Sequence, residues 1–181
     1  MIRRFFNCLV VAAGVLFSAH PASACGERVE VRFFEADGDI FKIANKSRGP
    51  MSLGSLTIRL AGSRGRLIFD TKFGGPGASM AQPFEPLSGE VGLKAATPVG
   101  DGSEVMRLEF SGFAPGRRFE FVIDIDDRME SSESGRAVVS GGEIEGAGAE
   151  AVLIRPDGAT SRIRGRFRAD GRALLRSGVC A

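Results

Sequence analysis

The sequence predicts an all-β chain, an antiparallel β-sandwich of immunoglobulin or fibronectin-like architecture, on three observations. Apolar and polar residues alternate with a period of two through segment after segment. These segments are short and bounded by glycine, proline or aspartate, at fairly regular spacing. Helical patterning is nearly absent: Ala169 to Arg176 alone reads as a short helix, and Gly171 weakens it. Of fourteen phenylalanines, the eleven beyond residue 24 supply the aromatic mass of a core in a chain without tryptophan or tyrosine.

The elements follow in order. Val29-Glu30-Val31-Arg32-Phe33 alternates apolar and charged residues, as a strand with one buried face does. Asp37-Gly38-Asp39 is a turn into a second strand, Ile40 to Ala44, so the domain opens on a hairpin. Leu53 to Leu60 continues the pattern, and Gly62-Ser63-Arg64-Gly65 turns into Leu67-Ile68-Phe69-Asp70. A glycine- and proline-rich loop spans Gly74 to Pro86, with Phe84 as its anchor. Val105 to Phe110 and Arg118 to Ile125 are strong strands, and Phe119, Phe121, Ile123 and Ile125 share the face that forms the centre of the core. After a polar loop, Asp127 to Gly135, come weaker strands around Ala137-Val139 and Glu143-Ile144. A final hairpin runs from Ala151 to Arg155 through Pro156-Asp157-Gly158 to Ser161–Arg168. No repeat of fixed period and no linker divides residues 25–181, which read as one domain.

Residues 1–24 have the layout of a secretory signal peptide: Arg3 and Arg4, an apolar run from Leu9 to Phe17, and Ala22-Ser23-Ala24 as the cleavage site. The protein is therefore expected to be secreted or periplasmic. No later run approaches the roughly 20 apolar residues of a membrane helix. Beyond the signal two cysteines remain, Cys25 and Cys180, and in an exported protein an even pair reads as a disulfide. In the chain-entropy model closing so long a loop stabilises by up to roughly 5 kcal/mol. The rival reading is a lipid anchor on Cys25, because Ala22-Ser23-Ala24-Cys25 loosely resembles a lipobox.

Composition excludes more than it offers. The single histidine, His20, belongs to the signal, so no imidazole remains to serve as base, nucleophile partner or metal ligand. A glycosidase needs two acids facing one bond, drawn here from Asp124 or Asp126 with Asp70 or Glu85, and its cleft has only phenylalanine for a sugar platform. No enzyme is expected. Without Arg3 and Arg4 the basic residues equal the 22 acidic ones, which gives no reason to expect nucleic acid as a partner. The alternating Arg162, Arg164, Arg166 and Arg168 fit the solvated face of a strand, with Ile163 and Phe167 turned inward, better than a polyanion site.

The sharpest local signal is Asp124-Ile125-Asp126-Asp127. With Ile123 and Ile125 inward, Asp124 and Asp126 project from the opposite, solvent-facing side, and Asp127 starts the next loop. Carboxylates so close repel unless protonated, solvated or bridged by a cation. Calcium, with six to eight hard oxygen ligands in tolerant geometry, is the natural candidate. Asp70 is a fourth ligand candidate, and Asp101 with Glu104 more distant ones. The bland reading is a solvated strand end neutralised by Arg117, Arg118 or Arg128. The twelve-residue pattern of an EF-hand is absent. Gly74-Gly75-Pro76-Gly77 lacks the ending of a phosphate loop and reads as surface loop.

Three stretches together carry a family resemblance. They are Phe41-Lys42-Ile43-Ala44-Asn45 leading to Leu56-Thr57-Ile58-Arg59-Leu60; Leu67-Ile68-Phe69-Asp70-Thr71 with Gly74-Gly75-Pro76-Gly77 and Gln82-Pro83-Phe84-Glu85; and Pro115-Gly116 followed by Phe121-Val122-Ile123-Asp124-Ile125-Asp126-Asp127. This pattern resembles the small exported bacterial proteins called "aggregation factor core". The resemblance implies a β-sandwich and a calcium-dependent adhesive role. The expectation is a non-catalytic exported module binding a protein or polysaccharide at the cell exterior. The alternative is a periplasmic accessory subunit that docks a protein partner through a sheet edge or the Gly74–Pro86 loop, without metal.

Overall fold

The computed structural model describes residues 26–36, 38–78, 80–96, 98–129 and 136–177. The expected signal peptide and both members of the expected disulfide, Cys25 and Cys180, lie outside the described residues. Along the chain come β1 (Arg28–Phe34), β2 (Ile40–Asn45), β3 (Ser52–Arg59), β4 (Ile68–Asp70), β5 (Glu85–Ser88), β6 (Leu93–Ala96), β7 (Val105–Phe113), β8 (Arg118–Val122), β9 (Asp124–Asp126), α1 (Gly141–Ile144), β10 (Gly148–Ile154), β11 (Thr160–Arg166) and β12 (Arg172–Arg176). No helix among the described residues is long and apolar enough to cross a membrane.

Ten strands form one antiparallel sheet in the order β5-β8-β2-β1-β12-β11-β10-β3-β7-β6, and β4 pairs separately with β9. The all-β, antiparallel class is as the sequence predicts. The strands, however, join a single ladder curled into a half-barrel rather than dividing by hydrogen bonding into two sheets. Two features drive the curl. The segment after β7 re-enters the far end of the ladder as β8, and Phe110 of β7 meets Phe119 of β8 edge-on with ring centroids 5.8 Å apart. Between these ends the Asn45 amide donates to the carbonyl oxygens of Met51 (2.8 Å) and Phe113 (2.9 Å). The ladder is thinnest between β11 and β12, which register at Arg164–Arg176 and a bridge between Phe167 and Ala173.

Alternation selects the concave face. Val29, Val31, Phe41, Ile43, Leu56, Ile58, Met106, Leu108, Phe119, Phe121, Ala151 and Ile163 all enter one contiguous apolar core. Phe41 stacks on Phe121 at 5.3 Å, and the loop residue Phe84 leans on Phe121 at 5.2 Å, as its role of anchor requires. The opening hairpin is present, with Phe33 opposite Phe41.

Two local readings are corrected. The segment expected as a helix, Ala169 to Arg176, is a turn followed by β12. Gly171 takes φ +68°, and from Arg172 the residues alternate out and in against β1, burying Ala173 and Leu175. The weak strand expected around Glu143-Ile144 is instead the single helical turn α1. Ser140 and Glu143 close it as a capping box, with the Ser140 hydroxyl accepting from Glu143 N (3.3 Å) and the Glu143 carboxylate from Ser140 N (2.7 Å).

Candidate metal centre

Asp70 ends β4 and pairs directly with Asp124 at the start of β9, while Ile68 pairs with Asp126. Paired residues in an antiparallel ladder project to the same side, as do residues two apart in a strand. Asp70, Asp124 and Asp126 therefore share one face, and Phe69 and Ile125 on the other join the core. The predicted phase of alternation holds, but its solvation is corrected: Asp124 and Asp126 do not face water. Asp70, Asp124, Asp126 and Asp127 are 1%, 4%, 0% and 0% exposed. One carboxylate oxygen from each of Asp70, Asp124 and Asp126 falls within 4.8 Å of the others.

The cover is the glycine-rich loop after β4, which binds back onto the strand pair. Gln82 N donates to Asp70 O (3.2 Å), Asp124 N to Gln82 O (2.9 Å), and Ala78 N to the Asp126 carboxylate. Glycine is required where the loop passes over the acids. A Cβ at Gly77 would collide with the carboxylates of both Asp70 and Asp126, and one at Gly75 with Asp101. Opposite the loop, the Arg136 guanidinium holds Pro76 O (3.2 Å) and Asp127 O (3.4 Å).

Two further aspartates border the cluster. Asp39, in the turn before β2, is 3% exposed and accepts from Ile125 N through Oδ2 at 3.2 Å. Asp101 accepts from Thr71 N at 2.9 Å and lies against Asp70. Glu104, the other distant candidate, is not part of the site, because it is ion-paired with Arg128. None of the arginines expected to neutralise the acids does so: among the described residues no ion pair includes Asp39, Asp70, Asp124, Asp126 or Asp127.

The electrostatic consequence is large. Burial pushes the Asp39 carboxyl up to about 8, with Asp124 and Asp126 adding repulsion. Burial likewise raises Asp70 to about 7, helped by Asp126 and Asp101, and Asp124 to about 7, helped by Asp126 and Asp70. Asp126 is raised by burial too, against the pull of Ala78 N and Arg136. Four buried oxygens have no hydrogen-bond partner: Asp70 Oδ1, Asp124 Oδ2, Asp126 Oδ1 and Asp127 Oδ2. An unsatisfied buried polar atom costs ~1–3 kcal/mol, more when charged, so four together call for a ligand that supplies positive charge.

The donor set narrows which cations these residues could hold. All donors are carboxylate oxygens, with no histidine or cysteine, which disfavours zinc and copper. Magnesium keeps most of its waters and takes one or two carboxylates; calcium accepts many at about 2.3–2.6 Å. Two oxygens on opposite sides of one calcium lie about 5 Å apart, and the observed grouping fits inside that span.

Sequence reasoning found Asp70, Asp124, Asp126 and Asp127 and treated Asp39 as a turn residue only. Its contact with Ile125 spans 86 positions and leaves no local signal. The role of Gly75 and Gly77 as cover was also missed, although a glycine-rich run directly after a buried acidic strand end was visible. No protein-family model, no curated protein and no solved structure matches the chain.

Proposed function

We propose that this protein is a non-catalytic exported binding module whose glycine-covered aspartate cluster holds a calcium ion. The observation that carries the reading is the group of three buried aspartates, Asp70, Asp124 and Asp126, with an unpartnered oxygen on each, packed together where Gly77 passes over Asp70 and Asp126. The ion neutralises β4 and β9 and locks the loop between Thr71 and Gln82, ordering the surface above. A cation-ordered surface suits adhesion at the cell exterior, the role that the resemblance to aggregation factor core proteins implies. The curled ladder, thin between β11 and β12, then works as two packed leaves of a sandwich around the shared phenylalanine core. Export and the Cys25–Cys180 disulfide belong to the same reading, supported by the pairing of Arg28 with Arg176, which sets the first and last strands side by side. Intact-mass analysis of the exported protein tests that bond: a loss of two protons supports it, and a diacylglyceryl mass on Cys25 overturns it.

Metal-free docking of a protein partner is the weaker reading. The Gly74–Pro86 loop is committed to covering the acids, and the β5 edge carries Pro86, which cannot donate to an added strand.

Thermal unfolding in chelator, magnesium and calcium tests the site. Calcium at about 100 times its dissociation constant adds ~2.7 kcal/mol, worth roughly 5–10 °C for a domain of this size. A melt that calcium does not move overturns the proposal.

A further inference from the structure

We propose that the outward face of β3, β10, β11 and β12 binds a linear acidic polysaccharide, whose carboxylates or sulfates are taken by Arg59, Arg164, Arg166 and Arg176. The strand register places like charges side by side across this face. Arg28 stands opposite Arg176, and Arg176 opposite Arg164. One strand further on, Arg164 pairs with Glu150, which also receives Arg162 (2.7 and 3.4 Å). Glu150 is the one acid at the outward positions of β10, β11 and β12, and Glu30 on β1 is already paired with Arg32 and Lys46. The Glu150 carboxyl is held below the usual range, first by Arg164 and then by Arg162 and Arg59. Among the described residues Arg28, Arg59 and Arg176 have no ion-pair partner.

Like charges directly opposite in a ladder are destabilising, and Arg28 and Arg176 have no ion pair among the described residues to offset it, whereas Arg166 also donates to Gly146 O (2.9 Å). The overall balance of charge conceals them, because the matching aspartates are buried at the β4–β9 pair.

The face also has a built trough. Gly148 lies between Arg59 on β3 and Arg166 on β11 in register, and these residues line a groove of about 370 Å³ with Ala61, Ala149, Arg164, Gly165 and one acid, Glu150, which is already paired with Arg164. A side chain at Gly148 would meet nothing closer than the Arg59 Cβ at 4.0 Å, so packing does not demand glycine there. Its effect is to leave the floor open between two guanidiniums.

Forked guanidiniums match planar carboxylates and sulfates. Arg28, Arg176 and Arg164 stand on successive strands about 4.8 Å apart, and Arg59 and Arg166 flank Gly148 at about twice that, an array suited to a polymer with charge along its length. The outward positions of β10, β11 and β12 include no aromatic residue, so there is no stacking platform for single-stranded nucleic acid. This inference extends the binding-module reading by naming a partner class, and it does not depend on the cation.

The test is binding of the purified protein to dextran sulfate, polygalacturonate, neutral dextran and a single-stranded oligonucleotide, in calcium and in chelator. The expected result is salt-sensitive binding to both acidic polymers, with or without calcium, and none to neutral dextran. The Arg59→Ser/Arg176→Ser variant, which leaves the Arg166–Gly146 bond in place, should bind at least about tenfold more weakly while melting no lower than the parent. Gly148→Glu, which fills the trough with an acid, should do the same. Failure to bind either acidic polymer at low salt overturns the proposal, as does unchanged binding by both variants. Equal affinity for the oligonucleotide overturns the assignment to polysaccharide. Binding that disappears in chelator yet survives the arginine substitutions places recognition at the acidic cluster, and also overturns it.

Discussion

The β4–β9 pair and the outward face of β10–β12 break the same rule in opposite surroundings. Each sets like charges directly across a ladder, Asp70 against Asp124 in one and Arg164 against Arg176 in the other. On the exposed face water and salt screen the repulsion, and the cost is a few tenths of a kcal/mol per pair. In the pocket burial removes that screening, and desolvation with the added repulsion raises the Asp70 and Asp124 carboxyls to about 7. The lesson is that the solvent around a charge pair decides whether a counter-ion is optional. The exposed arginines can be left to solvent; the buried aspartates must be neutralised, by a proton or by a cation.

Four experiments sharpen or break that contrast, in falling order of effect. Asp124→Asn with Asp126→Asn should abolish the calcium-induced rise in melting temperature entirely. In chelator at pH 8 the same variant should melt higher than the parent, since two buried like charges are gone. A lower melt there, with no calcium response in the parent, would mean that these carboxylates serve structure alone.

Proton linkage gives the next largest effect. The folded-state values of Asp39 (about 8), Asp70 and Asp124 (about 7) lie above those of an unfolded chain near 3.8. The native state therefore holds the extra protons between roughly pH 4 and 8, and in chelator stability falls as pH rises through that window. Each fully responding group contributes a slope of about 1.4 kcal/mol per pH unit. Saturating calcium, which binds the ionised form, should flatten the slope; urea unfolding at pH 5, 6.5 and 8 with and without calcium measures it.

Gly77→Val forces a side chain against Asp70 and Asp126, and it should cost about 1–3 kcal/mol in calcium and weaken calcium binding measured by titration. Smallest is Arg176→Gln, which removes one member of the Arg28–Arg176–Arg164 row. Its melt should be unchanged or raised by less than about 1 kcal/mol equivalent. A clear destabilisation would show that the arginines serve the fold.

Much of this was legible in the sequence where the signal is local. Period-two alternation located β1, β2, β7 and β8, and the inward set Phe119, Phe121, Ile123 and Ile125 is buried as read. The acidic run and Asp70 were visible because three carboxylates within four residues repel one another unless something neutralises them. What alternation does not carry is which strand lies beside which, or what covers the second face. Asp124 and Asp126 have the predicted phase, yet the Gly74–Ala78 loop lies over them. The single ladder depends on β12 pairing with β1 across most of the chain, and so was read as two sheets. At Ser140-x-x-Glu143 the capping box was in plain view, but a helix of one turn has no periodicity to reveal it.

That same pairing of β1 with β12 has a consequence for how the molecule is made. The first strand sits mid-ladder and waits for the last, so the half-barrel is unfinished until Arg172–Arg176 has emerged from the ribosome. Contacts of such long sequence separation form slowly. A nascent chain thus stays open through most of its synthesis and closes in one late step.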